Sequence, residues 1–237
     1  MDALHKISQA TGAWLQYEFA LGKSNLFNER YLSNPLGAVL GHLYPHQVHA
    51  EYLHPILAPT RVGLPGRRPE VDFAVVQDRP NLICAVESKW VGKNGLSADA
   101  IIWDLLRLEL IAHNSSAKAY FVLAGRKKHL DAFFQSSAFL GKQTPDGRFR
   151  RLLKLDQRRN ARLRIDSPPL DRLSVYQRIF AAFPTLSFSS RITTSTPATY
   201  PVQCQAYQYQ AYAWEVLAPA NTTRFIPGNN KLYRGEK

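Results

Sequence analysis

Three residue positions carry most of the chemical information in this sequence. Asp72 stands in the run Pro69-Glu70-Val71-Asp72-Phe73, and Glu87 and Lys89 stand in Val86-Glu87-Ser88-Lys89-Trp90. Side chains alternate along a strand, so Glu87 and Lys89 share one face. Asp72, on the preceding strand of a hairpin, reaches the same face. Two carboxylates and one ammonium then converge at one edge of a sheet. Acids that interrupt apolar β-runs are costly to bury alone. A divalent cation supplies the missing partner: Mg²⁺ takes few protein carboxylates, keeps several waters and completes its shell with phosphate oxygens. Such a trio suits attack of an activated water on a phosphodiester, with Lys89 orienting the water or stabilising the developing charge.

The flanking pattern predicts the elements that position these groups. A helix is expected from about Ser8 to Leu21, with Ile7, Trp14, Leu15 and Phe19 apolar and Gly22 as a stop. A short helix is expected over Pro35–Leu43, and residues 47–54 alternate like a strand. Val71–Gln77 and Leu82–Trp90, separated by Asp78-Arg79-Pro80-Asn81, read as an antiparallel hairpin. An apolar helix over Ser97–His113 and a strand over Lys118–Ala124 follow. Beyond Gly125 the expectations are a helix over Leu130–Leu140, a basic loop-rich stretch from Gln143 to Asp166, and a helix over Pro169–Phe183. Strands are expected within 186–218, most clearly Ala206–Leu217. The order is α/β, with a mixed sheet and helices packed on it.

At these residues the sequence resembles the PD-(D/E)xK nuclease superfamily, the restriction-endonuclease-like fold. Asp72 matches the motif's Asp, and Glu87 and Lys89 match its (D/E)xK element; theirs is the one acid-x-Lys triplet in the chain. Helix, three-strand meander, helix and strand over residues 8 to 124 match the family's core order. The family often adds a carboxylate from its first helix, and Glu18 stands there, with Glu29 and Glu51 as rivals. The resemblance implies a mixed central sheet flanked by helices over residues 1–125, with a basic, partly β C-terminal extension over 126–237 packed on the same domain. It implies Mg²⁺-dependent cleavage of DNA, with Mn²⁺ able to substitute. Asp72, Glu87 and Glu18 would be the metal ligands and Lys89 the catalytic lysine. Val71 rather than Pro precedes Asp72, and no Gln-x-x-x-Tyr follows in the helix at 97–113, so the exonuclease-like branch is not indicated. A catalytically silent nucleic-acid-binding module of the same fold is the alternative, and an RNA-directed nuclease a third reading.

Charge points to a polyanion. The 237 residues hold 30 Lys and Arg against 18 Asp and Glu, a net +12. Residues 1–117 carry 10 basic and 11 acidic groups, whereas 118–172 carry 14 and 5. Arg126, Lys127 and Lys128 form one part of that block. Arg148, Arg150, Arg151, Lys154, Arg158, Arg159, Arg162 and Arg164 form another and suit a duplex phosphate track. Tyr207, Tyr209, Tyr212 and Trp214 are expected to pack against a helix, with base stacking the lesser reading. The same weighing makes Asp104 and Arg107 a local helical ion pair.

Four histidines at 42, 46, 49 and 54 resemble a Zn²⁺ spacing, but alternation sets His49 and His54 on opposite faces and no Cys lies nearby. Polar packing or phosphate contact is expected there. Two cysteines, Cys84 and Cys204, exclude a disulfide framework, and Cys84 reads as core. No aliphatic stretch approaches the ~20 residues of a bilayer span, and residues 1–6 lack a signal layout. A cytoplasmic setting without membrane contact is expected, and a homodimer is left open.

Overall fold

An eight-stranded mixed sheet, mostly antiparallel and flanked by helices, organises the chain in the computed structural model, which describes residues 2–63, 65–78, 81–115, 117–156 and 160–234. Helix α1 spans Ala3–Ala20 and α2 spans Ser33–Leu43. Strands β1 (Val48–Leu53), β2 (Glu70–Asp78) and β3 (Asn81–Val91) form an antiparallel meander. Helix α3 (Ala98–Ser115) then crosses over to β4 (Lys118–Arg126), which pairs parallel to β3. The α1 helix starts earlier than its apolar spacing predicts, because the Asp2 carboxylate caps it by accepting from the His5 amide at 3.0 Å.

The second half of the chain enlarges the same sheet. Helices α4 (Lys127–Phe134) and α5 (Ser137–Leu140) replace the single helix expected over 130–140. The break falls at Ser136, whose hydroxyl caps α5 through the Phe139 amide. Strand β5 (Ala161–Arg164), helix α6 (Leu170–Ala181), β6 (Phe188–Ser189), β7 (Arg191–Thr194), β8 (Ala198–Tyr200), β9 (Tyr209–Leu217) and β10 (Arg224–Phe225) follow. The sheet order is β1-β2-β3-β4-β9-β7-β5, with β8 also on β9, while β6 and β10 pair separately. Strand β9 lies antiparallel against β4, so residues on both sides of position 125 share one sheet.

Two apolar layers hold the helices. Val86, Cys84, Val122 and Ala213 meet α1 and α2 through Ile7, Leu15, Leu36 and Leu40. Ala85, Phe121, Leu123 and Trp214 meet α3 through Ile101, Leu105 and Leu108. Burying each such large side chain contributes about 1.5–3 kcal/mol. The central strands are apolar on both faces because helices cover both. A charged side chain on β3 must therefore find its partners inside the protein. Among the described residues no helix is long and apolar enough to cross a membrane.

Candidate active site

Strands β2 and β3 stay paired only as far as Phe73 and Val86. Beyond that point β2 remains with β1, through Val71 opposite Tyr52, and β3 remains with β4, through Lys89 opposite Leu123. The sheet forks there, and Asp72 and Glu87 are the first residues past the last pair. The Asp72 carboxylate Oδ2 bridges the opening, accepting from the Ser88 amide at 2.8 Å and the Ser88 hydroxyl at 2.7 Å.

Glu87 and Lys89 project toward α3, where Asp104 and Arg107 meet them. Arg107 lies 3.0 Å from Glu87 Oε1 and also pairs with Asp104. Lys89 Nζ lies 3.1 Å from Asp104 Oδ2 and 3.0 Å from Glu29 Oε1. Glu87 is fully buried, and neither of its oxygens accepts a hydrogen bond from a described residue. Burial first, then the neighbouring Asp104, raise its carboxyl well above the usual range, against the pull of Arg107. Asp104 is raised too, by burial, with Arg107 and Lys89 opposing. Burial works against the Lys89 ammonium, yet Asp104 and Glu29 hold its pKa above the ordinary lysine value.

The cluster therefore sets four acids, Asp72, Glu87, Asp104 and Glu29, against two bases, Lys89 and Arg107. A proton on Glu87, toward which its raised pKa tends, would relieve the excess, and a divalent ion would do so without one. The Glu87 oxygens, which accept no hydrogen bond and have only the Arg107 ion pair at Oε1 among the described residues, are the observation that fits these residues to a hard cation. No group of three His, Cys, Asp or Glu is gathered as a metal cage among the described residues. Any ion at the fork would take Asp72 and Glu87 and complete its shell with water or phosphate.

Arg107 is fixed from several sides. Its guanidinium donates to the Glu70 carbonyl and lies 5.6 Å from the Trp103 ring centroid. Its own carbonyl accepts from His54 Nε2 at 2.9 Å. His54 Nδ1 accepts the amides of Ile56 and Leu57 at 3.1 and 3.0 Å, which assigns the proton to Nε2. Burial pushes His54 down to about 4. His54 is thus a neutral buried brace between the β1–β2 connection and α3.

Several residues singled out in the sequence lie elsewhere. The Glu18 carboxylate pairs with Lys23 at 2.8 Å and accepts from the Tyr31 hydroxyl at 2.6 Å. It projects from α1, on the sheet face opposite α3, so the structure does not bring it to Glu87. Glu29 is the acid preceding the meander that reaches Lys89, whereas Glu51 pairs with Arg67 at 3.3 Å. Trp214 is fully buried and donates to the Lys154 carbonyl at 2.8 Å, and Tyr209 is core. Of that aromatic set Tyr207 alone is more than half exposed.

The basic block divides in two. Arg126–Lys128 sit at the carboxyl end of β4, about 10 Å past the level of Lys89 at ~3.3 Å per residue. There Lys128, Arg126 and Lys93 surround His129, whose pKa burial and these cations depress. Arg126 donates to the Tyr207 carbonyl and Lys127 pairs with Asp131. Arg148, Arg150 and Arg151 lie on an exposed loop beside β5, Arg148 paired with Asp146 at 2.6 Å. Arg158 and Arg159 fall outside the described residues. Sequence reasoning missed Ser88, because alternation points it away from Glu87. The fork bends the Asp72 carboxylate to it, and the end of strand pairing is not written in local composition.

No family model, curated protein or solved structure matches the chain.

Proposed function

We propose that the chain is a metal-dependent deoxyribonuclease built on a restriction-endonuclease-like core, hydrolysing phosphodiester bonds at the β2–β3 fork. One observation carries this reading. Asp72 and Glu87 flank the opening of a forked sheet beside Lys89, in a cluster holding two more acids than bases. The element order α1, β1–β2–β3, α3, β4, with β4 parallel to β3, agrees with that family's core.

Asp72 and Glu87 would hold Mg²⁺ or Mn²⁺, and the ion supplies a water of lowered pKa and neutralises phosphate charge. Lys89 directs its ammonium at the attacking water or at the oxygen that gains charge. Water oxygen would bond to phosphorus as it gives up a proton to solvent, the P–O ester bond would break, and the leaving oxygen would take a proton from solvent. Arg107 fixes Glu87 and Asp104 in position, and His54 fixes Arg107. Lys93, Arg126 and Lys128 lie at the strand end nearest the fork and would meet the duplex phosphates.

A second reading, a catalytically silent nucleic-acid-binding module, draws on one observation: Glu87 and Lys89 already have protein partners in Arg107, Asp104 and Glu29. Incubation of supercoiled plasmid with Mg²⁺ or chelator separates the two. The nuclease reading expects Mg²⁺-dependent nicking that Asp72→Ala and Glu87→Ala abolish while DNA binding persists. Binding without nicking in Mg²⁺ or Mn²⁺ supports the silent module.

A further inference from the structure

A groove of about 1160 Å³ runs along the β5 edge of the sheet, four strands away from β3. At ~4.8 Å per strand the two are roughly 20 Å apart. Arg150, Arg151 and Lys154 line it from the loop, Arg162 from β5 and Arg191 from β7. No acid pairs with any of these five among the described residues, whereas Arg148 and Arg164 in the same lining are answered by Asp146 and Asp166. Asp156 also lines the groove, but the five cations outnumber it and repel one another until an anion enters.

The groove is a built feature. Strand β5 alternates, burying Ala161 and Leu163 and turning Arg162 and Arg164 outward. The loop is pinned from beneath by two buried side chains. Arg172, 2% exposed, donates to the Arg150 carbonyl at 2.7 Å and to the Phe139 carbonyl at 3.0 Å. Trp214 Nε1 holds the Lys154 carbonyl. Leu152 and Leu153 anchor the same loop in the core. The cations thus project from a backbone already fixed.

Phe149 decides which polyanion fits. It is 44% exposed and stands between Arg148 and Arg150 on the groove wall. A cationic groove with an exposed aromatic matches a single strand, whose unstacked bases offer faces to the ring while phosphates follow the cations. A duplex keeps its bases stacked inside and gives Phe149 nothing to stack on. We infer that the β5-edge groove seats a single-stranded segment of nucleic acid, separate from the fork. Resting on the nuclease reading, this makes the substrate one in which a single strand adjoins the duplex that is cut.

Fluorescence anisotropy in chelator tests it, with a labelled twelve-nucleotide oligothymidylate and a duplex of equal length, on the full chain. In the triple variant Arg150→Ser, Arg162→Ser, Arg191→Ser, single-strand affinity should fall more than about tenfold at moderate salt. The slope of log affinity against log salt should flatten by about 2, at ~0.7 per phosphate contact. Phe149→Ala should lose roughly five- to a hundredfold with its slope unchanged, the range for one stacked base. Unchanged affinity in the triple variant overturns the inference, as does a duplex bound more tightly than the single strand with no loss in Phe149→Ala. Plasmid nicking is scored separately. Groove-dependent binding without nicking leaves the groove standing and removes the nuclease, and nicking with groove variants unaffected does the reverse.

Discussion

Asp72 draws two hydrogen bonds from a single residue, Ser88, and draws both through one oxygen, Oδ2. The carboxylate replaces the ladder bond that β2 no longer provides to the Ser88 amide. Oδ1 accepts no hydrogen bond from a described residue, so one oxygen ties the fork and the other stays available to a ligand.

Ser88→Ala removes the hydroxyl donor and leaves the amide. Hydrogen-bond partners of a metal-binding group typically contribute 10–100-fold in metal affinity. We expect Mn²⁺ affinity to weaken by about tenfold or more, with the unfolding midpoint little changed. A Mn²⁺ titration followed by electron paramagnetic resonance checks this. Undiminished affinity would mean that Asp72 does not bind the ion.

Lys89→Met keeps the apolar stem and removes the ammonium. Turnover should fall by roughly 100-fold or more if the charge is used as the transition state develops. Metal affinity should stay within a few-fold. Asp104 keeps Arg107 as a partner, so the stability loss should stay below the ~3–5 kcal/mol of a wholly broken buried pair. Single-turnover cleavage at the wild-type rate would reduce Lys89 to an ion-pair partner.

His54 gives the fold an acid sensitivity. Its folded pKa is lowered to about 4, against an ordinary value of 6.5. The stability it contributes is fully present above 6.5, declines as pH falls through that window, and is gone below about 4. At about 1.4 kcal/mol per pKa unit, the loss across the window is on the order of 3 kcal/mol. Urea unfolding at pH 7 and pH 4.5 should show His54→Gln with a shallower pH dependence than the wild type. Equal slopes would contradict the assignment of a neutral, doubly accepting Nδ1.

Gly12 tests helix–sheet packing. By helix propensity alone, alanine inside α1 should stabilise by about 0.5–1 kcal/mol. A Cβ there, however, would sit 2.4 Å from the Tyr200 carbonyl oxygen of β8. Gly12→Ala should therefore destabilise, by roughly 1–3 kcal/mol. A raised thermal midpoint would show that β8 gives way easily.

Much of this arrangement was legible because apolar alternation is a strong local signal. Val71–Gln77 and Leu82–Trp90 lie within β2 and β3, and with the strands come the positions of Asp72, Glu87 and Lys89. The partners of those residues were less legible. Asp104 and Arg107 read as a local helical pair, and they are one. Their reach to Lys89 and Glu87 depends on where α3 lands after crossing the sheet, which spacing along α3 does not encode. The groove was hidden for another reason. Ala161-Arg162-Leu163-Arg164 alternates over only four residues, and inside a basic run that pattern reads as charge rather than as strand.

The neighbours of β4 have a consequence in time. Its parallel contact with β3 is made from residues close in sequence, but its other side waits for β9, some ninety positions later, and α1 rests on β9 as well. A ribosome adds about 5–20 residues per second. For several seconds the emerging meander would carry an open strand edge and an undocked first helix. Until Tyr209–Leu217 leave the exit tunnel, β3 has no completed sheet to hold Glu87 and Lys89 in place. A nuclease assembled in this order would stay inert toward nucleic acid near the ribosome until β9 has emerged and paired with β4.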